Sequence, residues 1–96
     1  MGSAQSRQEG YFLEAILCGR DGAVARMLKD NPQLALCDFY QGTTNPICRA
    51  TYLGHRNIVS LLLKYGSDIN RTSSDQRTPL MWAAWRDNSE MIMLLL

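Results

Sequence analysis

"NPICRATYLGHRNIVSLLLKYGSDIN", residues 45–70, predicts two short helices and the tight turn between them. Asn45 stands before Pro46. An Asn side chain at that place accepts one of the unpaired amide hydrogens at a helix start. Proline at the first helical position has no amide proton to leave unpaired, and its φ is already helical. Gly54 is placed to end the first helix, where a left-handed backbone suits glycine. The second helix, "RNIVSLLLKYG" (56–66), puts Ile58, Leu61 and Leu62 at i, i+3 and i+4 and closes on Lys64 and Gly66. Two helices this short leave apolar faces that only a neighbouring unit can cover.

The neighbours are visible as internal repeats. "TPLMWAAWRDNSEMIMLLL" (78–96) aligns with the first stretch at a constant offset of 33 residues. Pro46 falls on Pro79, Ile47 on Leu80, Ala50 on Ala83, Ile58 on Met91, and Leu61 to Leu63 on Leu94 to Leu96. "FLEAILCGRDGAVARMLKDN" (12–31) aligns at an offset of 35, with Gly19 on Gly54, Val24 on Val59 and Leu28 on Leu63. The linker "PQLALCDFYQGTT" therefore carries two extra residues. Thr78 before Pro79 repeats the cap seen at Asn45.

This pattern resembles the ankyrin repeat, whose motif carries T-P-L-H, A-A, G-H, I-V, L-L-L and a closing G-A-D-V-N. Residues 45–70 match it at the proline, the first alanine, "GH", "IV", "LLL" and the closing glycine, aspartate and asparagine. Residues 78–96 match "TPL", "AA" and "LLL", and residues 12–31 look like an N-terminal capping repeat. The resemblance implies an all-α repeat solenoid of helix-turn-helix units joined by hairpin-like turns. It divides the chain into a disordered tail at 1–10 and an array at 11–96, with repeats about 11–37, 40–72 and 73–96. Several positions depart from the motif. Asn45 replaces its threonine, and Cys48 and Met81 replace its histidine, which predicts some loss of rigidity at the turns. "GTTNP" (42–46) has one residue too many, Gln76 stands where glycine is expected, and Asp87-Asn88 replaces the Gly-His pair. The final unit would pack on the one before it through Ala83, Ala84, Leu94 and Leu95. Terminal repeats carry a polar outer face, and "MIMLLL" offers none, so the chain reads as a piece of a longer array, or as one whose Met91–Leu96 face pairs with a partner or a second copy.

Composition bounds the rest. At 96 residues and a net charge of +1, the chain makes no case for nucleic-acid binding, which calls for a clearly basic domain. A chain of this length buries only ~60–65% of its unfolded surface, so its stability is marginal. The three cysteines, Cys18, Cys37 and Cys48, are an odd set without paired spacing, which argues for free thiols in a reducing, cytoplasmic setting and for small buried apolar roles. No metal or cofactor motif is present, and a zinc site would need four ligands in tight pairs. His55, the single histidine, holds the motif's "GH" position, where the resemblance gives it an inter-repeat hydrogen-bonding role. No catalytic residue and no enzyme activity are predicted.

"MGSAQSRQEG" (1–10) fits M-G-x-x-x-[ST] with Gly2 and Ser6 in place, a candidate N-myristoylation signal. The same residues also read as a plain solvated tail or a cloning remnant. One myristoyl chain gives only marginal membrane binding, so peripheral membrane association would need a second contact.

The resemblance places the variable positions before each first-helix glycine, and the hairpin tips, on the concave groove. The partner-binding set is then Tyr40, Gln41, Thr43, Tyr52, Leu53, Ser74, Asp75, Arg77, Trp85 and Arg86. Tyr, Trp and Arg are enriched in binding hot spots. Alternatively Trp85 and Tyr52 only cover neighbouring repeats, and Trp82 is expected to be partly core. The function implied is a protein-binding adaptor or scaffold. The alternative is a set of recruiting repeats from a larger enzyme such as a ubiquitin ligase or kinase.

Overall fold

The computed structural model describes residues 4–39 and 43–96, with side chains from residue 7 onward. Six α-helices form three antiparallel pairs: α1 (Ala4–Leu17) with α2 (Asp21–Asp30), α3 (Pro46–Leu53) with α4 (Arg56–Lys64), and α5 (Pro79–Trp85) with α6 (Ser89–Leu95). A 3-10 turn at Pro32–Leu36 follows α2. The pairs stack in chain order. α3 packs on α1 and α5, and α2 packs on α4. The all-α solenoid with hairpin-like connections is thus present.

Each unit is closed as its sequence dictates. The Asn45 carboxamide oxygen accepts from the Cys48 amide at 3.0 Å, and the Thr78 hydroxyl accepts from the Met81 amide at 3.3 Å. Gly54 ends α3 with φ +80°. In the third unit Asp87 takes that left-handed place with φ +53°, and Asn88 caps α6 by accepting from the Met91 amide at 3.1 Å. Gln76 adopts φ +65° where glycine was expected, and the turn forms around it, with its amide on the Ser73 carbonyl at 2.8 Å. The cost of a left-handed non-glycine residue is therefore borne locally rather than by distorting the unit.

One apolar cluster runs through all three pairs, from Phe12 and Ile16 through Ile47, Ile58 and Leu62 to Met91 and Leu95. Ala15, Ala50 and Ala83 stand at equivalent places on α1, α3 and α5, and all three are buried. With a methyl group as the only spacer, consecutive first helices can approach closely.

Polar contacts repeat along the same axis. Ser67 donates to the Ala35 carbonyl at 2.7 Å, Asn57 to the Asp21 carboxylate at 2.9 Å, and Arg56 pairs with Glu90 at 2.6 Å. Arg71 pairs with Asp38. The hairpin turns also meet: Phe39 and Thr44 exchange backbone hydrogen bonds, and the Ser74 amide donates to the Thr43 carbonyl at 3.1 Å. The Asn45 and Cys48 replacements do not leave the second turn loose. Asn45 donates from Nδ2 to the Thr72 carbonyl at 3.1 Å, and the Cys48 thiol donates to the Arg71 carbonyl at 3.4 Å.

Five expectations are corrected. The tail is not unordered to residue 10, because α1 begins at Ala4; "AQSRQE" consists largely of helix-compatible residues, and Gln8 accepts a hydrogen bond from Asn31 at 3.0 Å. Gly2 lies outside the described residues. The cysteines are not uniformly buried: Cys48 is, Cys37 is half-buried, and Cys18, at the end of the first helix, is exposed. Ala84 is exposed rather than packed, while Ala83 and Leu95 are buried and Leu94 half-buried. Met91 likewise does not belong to a bare outer face: it and Leu95 enter the core, while Met93 and, just after the helix, Leu96 are the exposed large apolar residues. His55 also differs from its expected hydrogen-bonding role. Its Nε2 is shielded from solvent without a hydrogen-bond partner among the described residues, and its ring lies against Gly19, where an added Cβ would come within 3.0 Å of it.

Asn45→Ala should destabilise the array by about 2–3 kcal/mol, since it removes a cap and a cross-turn bond from a site only 2% exposed. Thr78→Ala should cost about 0.5–1 kcal/mol, the low end for a cap whose bond is long and solvent-exposed. Urea unfolding of both variants measures the difference, and equal losses would contradict the bridging role of Asn45. The Thr51 hydroxyl is fully buried without a partner among the described residues. Thr51→Val should therefore raise stability by about 1 kcal/mol, read by the same method.

Candidate functional site

The helix pairs bring an aromatic and cationic cluster together on the side formed by α3, α5 and the Ser73–Arg77 turn. Tyr52, in the last turn of α3, meets Trp82 of α5 edge to face, with ring centroids 5.5 Å apart. Arg77, two residues before α5, lies over both indoles, 5.1 Å from the centroid of Trp82 and 5.0 Å from that of Trp85. Arg86, just after α5, lies 5.0 Å from the Tyr52 ring, and Arg49 lies 5.9 Å from the same ring. Thr44, Cys48, Arg49, Tyr52, Arg77, Trp82 and Trp85 line a recess of about 430 Å³.

The turn holds this arrangement in place. The Ser73 hydroxyl donates to the Asp75 carboxylate and accepts from the Trp82 indole nitrogen at 3.3 Å. Asp75 in turn pairs with Arg77 Nε at 3.3 Å. The Ser73 hydrogen bond, opposed by desolvation and helped by the Arg77 charge, holds the Asp75 carboxyl below the usual carboxylate range, so it stays ionised beside Arg77. At the floor of the recess, burial raises the Cys48 thiol to about 11, against an opposing hydrogen bond from Asn45. Burial, then the charge of Glu9, raises Cys37 to about 12. Both remain neutral thiols at physiological pH and are poor nucleophiles there.

The ten expected partner-binding residues divide into four groups. Tyr52, Arg77, Trp85, Arg86 and Asp75 meet in the aromatic cluster and its turn. Thr43 and Ser74 are both exposed and lie at the adjoining turns, joined through their backbones. Leu53 is half-buried and lines an adjoining polar depression with Tyr52, Gly54, Arg86 and Asn88. Its place one residue beyond Tyr52 turns it some 100° around the helix. Tyr40 and Gln41 lie outside the described residues. Trp82, expected as partly core, is half-buried and belongs to the cluster as well. Arg49, Cys48 and Thr44 were missed. The repeat arithmetic contained the signal for Arg49: shifted by 33 it falls on Trp82, as Tyr52 falls on Trp85.

Comparison with known proteins agrees with this architecture. A family model for ankyrin repeats, in three copies, matches residues 12–96. The chain belongs to the ankyrin-repeat family. Ankyrin repeats of E3 ubiquitin-protein ligase XBAT33 of Arabidopsis thaliana are similar at 37% identity over 84% of the chain, covering 16% of that protein. The probable E3 ubiquitin-protein ligase XBOS33 of Oryza sativa subsp. japonica is 36% identical over 79% of the chain, covering 15% of that protein. An ankyrin repeat domain-containing protein of Stachybotrys chartarum, SAT10, is 38% identical over 67% of the chain and 3% of its own length. The chain thus spans only about a sixth of the length of the plant relatives. The ankyrin repeat is a non-catalytic protein-interaction unit, and that is the function of this domain. Among the described residues, no helix is long and apolar enough to cross a membrane, and no cluster of His, Cys, Asp or Glu could hold a metal ion.

The thiols give a direct check on this geometry. A maleimide at neutral pH should label Cys18 quickly in the folded protein, and Cys37 and Cys48 only on unfolding, as peptide mass mapping would report. Their raised pKa values also fix a direction with pH. The unfolded thiols ionise near 9.0 and the folded ones near 11 and 12. The stabilising difference is fully present below about pH 9 and is lost as pH rises toward 11–12. The unfolding midpoint should accordingly fall over that window, and fall less in Cys48→Ala measured against its own neutral-pH value.

Proposed function

We propose that this ankyrin array binds a partner protein through the face made by α3, α5 and the Ser73–Arg77 turn. The observation carrying the reading is the Tyr52, Trp82 and Trp85 cluster with three arginines on it, in which Trp85 remains 69% exposed. A large indole left open to solvent gains area when a partner covers it, and Tyr, Trp and Arg dominate the energetics of interfaces. Similarity to plant ubiquitin ligases supports a second reading within the same frame: these repeats recruit substrate for a larger protein whose catalytic part lies outside residues 1–96. Gly2 and Ser6 further support cytoplasmic residence with myristoyl-assisted contact to a membrane surface.

Trp85→Ala with Arg86→Ala tests the docking face. Both residues are exposed, so the fold should keep its stability within about 0.5 kcal/mol. Proximity labelling in cells, compared between the double variant and the parent chain, should show specific partners depleted about tenfold or more, the effect of losing a hot spot of about 2 kcal/mol. An unchanged set of labelled proteins would overturn the docking face. The intact mass of the N-terminal peptide, beside Gly2→Ala, decides the acylation: a tetradecanoyl mass that vanishes in the variant supports it, and an unmodified or acetylated terminus removes it.

A further inference from the structure

Resting on that docking face, we infer that its partner is an acidic peptide segment: a carboxylate side chain held by Arg49 in the recess, with an adjacent apolar side chain against Trp85. The charge in the recess is uneven. Three guanidiniums gather around three aromatic rings, while the chain as a whole carries a net charge of only +1. Asp75 reaches the recess side of this group and is committed to Arg77, whereas Asp87 and Glu90 lie beside Arg86 in the adjoining depression, where Glu90 pairs with Arg56. Among the described residues, neither Arg49 nor Arg86 has an ion-pair partner, and Arg49 Nε is shielded from solvent without a hydrogen bond. A guanidinium resting over an aromatic ring uses its face; its N–H donors lie in the plane and remain open to an acceptor. Arg49 lines the recess together with Trp85, so its donors and the indole face the same space, while Arg86 sits on the Tyr52 ring at the adjoining depression. A carboxylate is the planar acceptor that fits such donors two at a time.

A peptide fits better than a polyanionic strand. The cations form one compact site rather than a track, and Asp75 and its pair with Arg77 close the turn side of it. The exposed Trp85 indole offers an apolar surface next to the charge, which suits a side chain adjoining the acidic one.

A random-peptide phage library selected on the full chain, with the Trp85→Ala variant as a counter-selection, is the test. Enriched peptides should carry Asp or Glu next to an apolar or aromatic residue. A synthetic peptide from that set should lose about tenfold or more in affinity on Arg49→Gln, and a comparable amount when its acid is replaced by the amide, as expected for losing a charge-assisted hydrogen bond. Enrichment of neutral or basic peptides that still depend on Trp85 would overturn the acidic partner while leaving the docking face intact. No Trp85-dependent enrichment would overturn both. A single-stranded oligothymidylate that binds with steep salt dependence, and tighter than any selected peptide, would assign the recess to nucleic acid and overturn the inference.

Discussion

Everything in this molecule depends on the close approach of its first helices. No helix pair here has enough apolar surface to form a core alone, so each must lie against the next. Ala15, Ala50 and Ala83 stand one per unit on these helices, all buried. Where a larger side chain would hold α1, α3 and α5 apart, these methyl groups let them meet, and the long apolar residues of the second helices fill the space behind. The same spacing sets up the recess. Tyr52 on α3 reaches Trp82 on α5 because the helices carrying them pack against each other.

The hairpin turns supply the directional half of the assembly. Apolar contact fixes that units stack; hydrogen bonds fix at what register. Asn45 caps its own helix and reaches the following turn, and Cys48 adds a weaker bond to the same segment. An asparagine has both an acceptor and donors, so it performs at one position the two tasks that the family threonine and histidine share. The departures from the motif at 45 and 48 are in this sense paired, and the turn they hold is the one that positions Arg77.

How much of this was legible in the sequence follows from the kind of signal each feature leaves. Periodicity and caps are local and repeated, so the three units, the proline starts and the Gly54 stop could be read directly. The left-handed residues Gln76 and Asp87 could be located only by the repeat, since neither residue type demands that backbone. The start of α1 at Ala4 was hidden because "AQSRQE" has no apolar stripe; its helix depends on continuing into Phe12 and Ile16 and on a contact with Asn31 far along the chain. Leu53 follows Tyr52 in sequence but is turned around the helix from it, and it lines the adjoining depression instead of the recess. Arg49 was overlooked because the period was applied to the aromatic residues and not to the cations one turn away.

The recess is also part of the structure that holds it. Ser73 joins the turn to Trp82, Asp75 joins it to Arg77, and Arg77 spans both indoles. Side chains with this many contacts have already lost much of their rotamer freedom when the chain folds. Immobilising a long side chain at an interface costs about 0.5–1.5 kcal/mol, and for Trp82 and Arg77 much of that cost falls on folding instead of binding. Arg86, Arg49 and the outer face of Trp85 are held less completely, each by a ring contact or by Arg77 alone. The site thus combines a rigid floor, which favours affinity, with an adjustable rim, which favours accommodation of more than one sequence. A recruiting module that must recognise a class of segments rather than one fixed surface needs that combination.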